Sequence, residues 1–166
     1  MNQARFLTLL VLLGASGCAL RPVYAGGASG PVASSLAAIS VAPIPDRAGW
    51  LMRNALVDRL GGDNKGAAYR LEVDLDDDIS GFGIRGDRST TRERRTLRAR
   101  YRLVQQSTGL VLLDATAGSD AGIDVVSSPY ATVAAEQTAL ERLSKVVADQ
   151  IVARLALYAT SRPIGR

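Results

Sequence analysis

The sequence predicts a single α+β domain with the element order β-α-β-β-β-α, a four-stranded mixed sheet carrying two helices packed on one face, after a cleaved lipoprotein signal peptide. Three observations lead there. Residues 69–79 and 96–104 each alternate apolar and charged side chains with the period of two that belongs to a half-buried strand. Residues 130–158 instead place Leu140, Leu143, Val147, Ile151, Leu155 and Tyr158 at helical spacing. Finally, 166 residues that are 47% hydrophobic and 22% charged suit one globular unit, not a disordered or fibrous chain.

The elements follow in order. Residues 36–42 contain β-branched Ile39 and Val41 and read as a first strand, ended by Pro43 and Pro45, which cannot donate to a ladder. Asp46 is the expected N-cap of a helix over residues 47–60, whose Leu51, Ala55, Leu56 and Leu60 share a face until Gly61-Gly62 ends it. In the next strand Tyr69, Leu71, Val73 and Leu75 point one way and Arg70, Glu72, Asp74 and Asp76 the other. In the strand after it Leu97, Ala99, Tyr101 and Leu103 point inward and Arg98, Arg100 and Arg102 outward. Setting Val73 opposite Tyr101 pairs Glu72 with Arg102, Asp74 with Arg100 and Asp76 with Arg98, so one antiparallel register satisfies both faces. Thr108-Gly109 turns the chain into a third strand of the meander, residues 110–117, whose facing the pattern leaves open. Residues 118–129 read as polar and irregular, and Ser128-Pro129 then offers an N-cap and a proline at the first position of the long helix.

Composition removes most catalytic chemistry. With no histidine and one cysteine there is no Cys/His zinc cluster, no His-based triad, no Cys–His dyad and no internal disulfide. Serines 16, 127 and 128 have no base to activate them. An enzyme is therefore not expected, nor a cofactor. Gly81-Phe82-Gly83-Ile84-Arg85-Gly86 spells G-x-G-x-x-G, but no helix opens after it and position 106 is glutamine, not an acid. Glycines near the tip of a long hairpin explain the same letters. Asp76-Asp77-Asp78 lies in a strand, where alternate carboxylates face opposite ways and cannot converge on a metal ion.

The N-terminus sets the compartment. A weakly basic start precedes the apolar run of residues 6–13, which is too short to span a bilayer and fits a signal-peptide core. Ala15-Ser16-Gly17-Cys18 resembles a bacterial lipobox, with alanine where leucine is commonest. That resemblance implies cleavage before Cys18, acylation of its thiol and amino group, and a lipid anchor at about 0.8 kcal/mol per buried CH₂. The expected division is residues 1–17 as signal peptide, 18–35 as lipidated cysteine and flexible Gly/Ala/Ser-rich tether, 36–160 as the domain and 161–166 as a disordered tail.

Charge is concentrated in one place. Between Arg85 and Arg102 lie eight arginines against Asp87 and Glu93. Arg98, Arg100 and Arg102 are answered by the predicted ladder with Glu72, Asp74 and Asp76. Arg85, Arg88, Arg92, Arg94 and Arg95 have no acidic stripe predicted to meet them, and several guanidinium forks on one loop make an anion receptor. A solvated basic loop without a special role is the plainer reading. Nucleic acid is disfavoured, because a tethered envelope domain rarely meets it and only Phe82 is at hand for base stacking.

A lipobox ending in Cys18, followed by Leu20-Arg21-Pro22-Val23-Tyr24, Ile39-Ser40-Val41, Asp46-Arg47 and Leu51-Met52-Arg53-Asn54-Ala55-Leu56, resembles the LPS-assembly lipoprotein LptE family in its alphaproteobacterial form. Tyr69-Arg70-Leu71-Glu72-Val73, Tyr101-Arg102-Leu103 before Thr108-Gly109, Pro129-Tyr130-Ala131-Thr132 and Asp149-Gln150-Ile151 with Arg154-Leu155 are similar to that family's later blocks. Cys18-Ala19 departs from the family's Cys-Gly start. The resemblance implies a lipid-anchored protein on the periplasmic side of the cell outer membrane, seated in the lumen of the large outer-membrane β-barrel LptD. There it would assist the barrel's assembly, plug it and help deliver lipopolysaccharide to the outer leaflet, with Arg85, Arg88, Arg92, Arg94 and Arg95 as contacts to LPS phosphates. Two other readings stay open at this stage: an accessory lipoprotein of an ABC-type or mammalian-cell-entry lipid transport system, and an envelope scaffold that does not bind LPS.

Overall fold

The computed structural model describes residues 30–62, 64, 66–84 and 90–161. The signal peptide, Cys18, Arg85 and Arg88 lie outside the described residues. Among the described residues seven elements follow one another: α1 (Pro31–Ala37), β1 (Ile39–Val41), α2 (Asp46–Leu60), β2 (Tyr69–Ile84), β3 (Thr90–Gln105), β4 (Val111–Asp124) and α3 (Pro129–Ser161). The sheet runs β1-β2-β3-β4, with β1 parallel to β2 and the other pairs antiparallel. This is the α+β mixed sheet that the alternating segments predict, with one helix more.

The extra helix is α1. It corrects two expectations, since residues 31–35 belong to the fold rather than to a tether, and the first strand is confined to Ile39–Val41. A seven-residue helix is marginal by itself, so its stability comes from packing: Pro31 opens it, and Val32 and Leu36 are buried in the core. Asp46 is likewise not the cap. Pro45 holds that position without a side-chain hydrogen bond, and Asp46 is the first helical residue with φ +66, a left-handed conformation that a non-glycine residue adopts only under tertiary constraint. Gly61 closes α2 at φ +94, and the next amide donates to the Val57 carbonyl at 3.0 Å.

The long strands reach further than their alternation. β2 and β3 pair from Tyr69↔Gln105 out to Ile84↔Thr90, so Gly81 and Gly83 lie within strand and not in a phosphate-cradling loop. β4 continues through 118–124, where an irregular segment was expected. Its facing is settled by the ladder: Leu113, Ala115, Ala117, Ser119, Ala121 and Ile123 share the inner face, and Asp114, Thr116, Gly118, Asp120, Gly122 and Asp124 the outer. Gly109, at φ +72, makes the β3–β4 turn, its amide donating to the Gln105 carbonyl at 2.8 Å. α3 runs 33 residues, through Ser161, and spans about 50 Å.

The core is one layer between the inner sheet face and the helices. Met52, Leu56 and Leu60 of α2 and Val147, Ile151 and Leu155 of α3 close over Leu71, Leu97, Tyr101 and Leu103, all at most 2% exposed. Among the described residues, no helix lies on the opposite sheet face. Two contacts fix the helices. Arg59 of α2 donates through both guanidinium arms to the Asp149 carboxylate of α3, a hydrogen bond that lowers the Asp149 pKa below the usual carboxylate range. Gly49 lets α2 pass its own entry loop, since a Cβ there would stand 2.6 Å from the Ile44 carbonyl oxygen.

Gly49→Ala is therefore expected to cost about 1–3 kcal/mol through overpacking, read as a lower midpoint in chemical denaturation with the same slope. Asp149→Asn removes a pair that is largely exposed on the aspartate side, so the expected loss at pH 7 is no more than about 1 kcal/mol. Because the folded pKa of Asp149 is depressed, its contribution is present above the unfolded carboxylate value and fades as pH falls through the folded value. Denaturation of the two proteins across an acid series should show the gap closing, and a gap that widens in acid contradicts the assignment.

Candidate functional site: the charged sheet face and the hairpin

The uncovered face of the sheet is three columns of charge. β2 contributes Glu72, Asp74, Asp76 and Asp78, β3 contributes Arg92, Arg94, Arg98, Arg100 and Arg102, and β4 contributes Asp114, Asp120 and Asp124. Arginine thus runs down the middle strand between two acidic ones. The register puts Glu72 opposite Arg102, Asp74 opposite Arg100 and Asp76 opposite Arg98, as the alternation requires.

The ion pairs do not simply follow the rungs. Arg102 reaches both Glu72 at 3.4 Å and Asp74 at 3.7 Å, and Arg70 donates to Glu72 at 2.7 Å. Arg100 turns the other way and grips Asp114 of β4 with Nε and Nη2, raising its own pKa and lowering that of the aspartate through the shared hydrogen bonds. Asp76 and Arg98 face each other with no ion pair within 4.0 Å among the described residues. Opposite Arg98 on β4 stands Gly118, whose missing side chain leaves room for the arginine stem, since a Cβ there would lie 3.3 Å from the Arg98 Cγ. A long arginine gains one hydrogen-bonded carboxylate, and which neighbour supplies it depends on side-chain reach rather than on backbone pairing.

The hairpin arginines are not without partners. Arg92 meets Asp124 at 3.2 Å and Arg94 meets Asp120 at 3.9 Å, with the Arg94 guanidinium also 5.4 Å from the centre of the Phe82 ring. Arg95 sits on the other face, beside Leu97. It forms a two-armed pair with Asp77 at 2.6 and 2.8 Å and donates to the Glu136 carbonyl of α3 at 2.8 Å. Its side chain is 11% exposed and that of Asp77 is 21% exposed, so this arginine ties the hairpin to the helix and is not available as a loop cation. The expectation that these three arginines lack acidic neighbours is thereby corrected.

The residues that sequence reasoning missed are Asp114, Asp120 and Asp124. Their spacing on even positions was visible, but the odd positions between them are Ala115, Ala117, Ser119 and Ala121, too small to announce a buried strand face. The hairpin now has two kinds of arginine. Arg92 and Arg94 remain exposed, with side chains 65% and 57% accessible, held by surface pairs of small energetic weight. Asp77→Ala, which strands the Arg95 guanidinium against α3, is expected to cost about 1–3 kcal/mol, whereas Arg92→Ala and Arg94→Ala each change stability by less than about 1 kcal/mol. Urea midpoints decide this, and equal losses for all three overturn the division.

Comparison with known proteins places the chain. No curated protein matches it in sequence. A lipoprotein structure from Caulobacter crescentus CB15 is 26% identical and superposes with a TM-score of 0.68 over 80% of this chain and 98% of that one. Rare lipoprotein B from Shewanella oneidensis, 11% identical, shares the fold at a TM-score of 0.59 over 74% of this chain and 95% of its own. Lipoprotein B from Nitrosomonas europaea, also 11% identical, gives a TM-score of 0.59 over 74% and 84%. The model of the LptE family, described as lipopolysaccharide assembly, matches residues 36–155, from the last turn of α1 to the penultimate turns of α3. A match over that much of the chain, on the fold those lipoproteins share, makes this protein a member of the LptE lipopolysaccharide-assembly family.

Proposed function

We propose that this protein is an outer-membrane lipoprotein, anchored through acylated Cys18 on the periplasmic side, that assists assembly of and plugs the LPS-export β-barrel LptD and helps deliver lipopolysaccharide to the outer leaflet. The observation that carries the proposal is the family match across residues 36–155. The exposed sheet face supports it physically. A wide barrel cannot fill its lumen with its own side chains, and the interior of large outer-membrane barrels is polar. A slab whose open face is arginine and carboxylate, already mutually neutralised, can sit against such a wall or its water without stranding a charge. The work is assembly and transport, not catalysis.

The anion contact is assigned to Arg85 and Arg88, which lie outside the described residues, and to Arg92 and Arg94 of β3. Arg95 serves the fold, for the reason given above. The surface carboxylates that hold Arg92 and Arg94 are weak competitors for a lipid A phosphate, which offers more charge and more acceptor oxygens.

Detergent extraction of membranes carrying a C-terminally tagged copy, with Cys18→Ala as control, is expected to recover one large outer-membrane barrel in stoichiometric amount. Recovery of an inner-membrane transporter instead favours a lipid-transport accessory role. Replacing arginines 85, 88, 92 and 94 together with serine is expected to weaken LPS binding and flatten its salt dependence without changing the denaturation midpoint by more than about 1 kcal/mol. Unchanged binding at low salt removes the hairpin from the site.

A further inference from the structure

About 35 Å along β3 from the hairpin end, a second polar site lies between the C-terminal half of α3 and the inner face of β4. A cleft of about 460 Å³ is lined there by Tyr101, Ala115, Thr116, Ala117, Gln150 and Arg154. Tyr101 is 2% exposed, yet its hydroxyl has no hydrogen-bond partner among the described residues. The hydroxyl oxygen is not itself among the buried unpartnered atoms, so it opens into the cleft, where water or a ligand can accept from it. Burial raises the Tyr101 pKa, with the Arg154 charge opposing that in part, so the hydroxyl is a protonated donor at neutral pH.

The neighbours do not satisfy it. Gln150 spends both ends of its amide on the edge of β4, accepting from the Gly118 amide at 3.2 Å and donating to the Gly118 carbonyl at 3.3 Å. No carboxylate lines the cleft, and Asp114, next along β4, faces the other side of the sheet and holds Arg100. Arg154 has no ion-pair partner among the described residues, unlike Arg59, Arg95 and Arg100. The floor is small and apolar at Ala115 and Ala117. A second cleft of about 240 Å³, lined by Leu113, Arg154, Leu157, Tyr158 and Ser161, adjoins at Arg154.

Two donors open to the cleft, without a protein partner among the described residues, stand beside an apolar trough and define a ligand class. We infer that this cleft binds an oxyanion carried on a short apolar stem, with the Tyr101 hydroxyl and the Arg154 guanidinium donating to the anion and Leu113 and Leu157 flanking the stem. A fatty carboxylate and an alkyl phosphate both have this chemistry. The site is separate from the hairpin arginines and does not rest on the function proposed for them.

The test is an amide NMR titration of the purified protein with octyl phosphate and with octanoate, each below its micelle concentration. Octyl glucoside is the uncharged control and inorganic phosphate the control without a stem. Saturable shifts at Ala115, Ala117 and Arg154 are expected with at least one of the two anionic probes, the better binder naming the source. Octyl glucoside should give none, and inorganic phosphate should bind more weakly. Arg154→Gln, an exposed position, should weaken binding about ten-fold or more, and Tyr101→Phe, which keeps the buried ring, about three- to ten-fold. Arg92→Ser with Arg94→Ser should leave it unchanged. Equal binding of octyl glucoside, inorganic phosphate as tight as octyl phosphate, affinity indifferent to Arg154→Gln, or no saturable shift at these amides each overturns the inference.

Discussion

The pairing of β2 with β3 governs the rest of the molecule. Side chains on a strand alternate between faces, so an odd slip in this one ladder would turn Leu71, Val73, Leu97 and Tyr101 out to water and drive their charged neighbours into the core. The register that avoids this also opposes Glu72 to Arg102 and Asp74 to Arg100. Hydrophobic burial and charge pairing select the same alignment, which is what a single deep minimum requires. β1 extends the sheet in parallel on one side and β4 extends it antiparallel on the other, and both helices find their place on the apolar face so formed.

Once that ladder is set, the two faces take different work. The inner face is sealed by α2 and α3, which are held to each other by the Arg59–Asp149 pair, and α3 is held to the hairpin by Arg95, itself paired with Asp77. No described element covers the outer face, whose central arginine strand lies between two strands that carry carboxylates. Surface pairs of this kind add little stability one at a time. Their effect is on the character of the surface, which is densely charged yet nearly balanced and so repels neither an acidic nor a basic partner over long range. Arg92 and Arg94 stay exposed on that face, and the cleft at Tyr101 and Arg154 lies apart from them.

The chain has no histidine and a single cysteine near the N-terminus, and the family it belongs to is one of lipopolysaccharide assembly. A 33-residue helix lies along a four-stranded sheet, and β2 and β3 pair from Tyr69↔Gln105 out to Ile84↔Thr90. Arg95 ties the hairpin to the helix by holding both Asp77 and the α3 backbone.

The sequence by itself determined the fold class, the long helix and the β2–β3 register, because each rests on a periodicity local to one or two segments. It did not determine α1, whose seven residues have no helical signal strong enough to stand without the buried Val32 and Leu36. Nor did it reveal β4 beyond residue 117, since a strand whose inner face is alanine and serine looks like a loop until a helix is laid on it. The fate of each arginine was a tertiary decision as well. Arg92, Arg94 and Arg95 are near neighbours in sequence with the same chemistry, yet strand alternation puts two on the open face and one under α3. Only the third dimension brings Asp120 and Asp124 to the first two, and Asp77 with the Glu136 carbonyl to the last. Pairing across 18 to 41 positions is not written in any local pattern, and it is what separates an arginine that holds the fold from one left exposed on the open face.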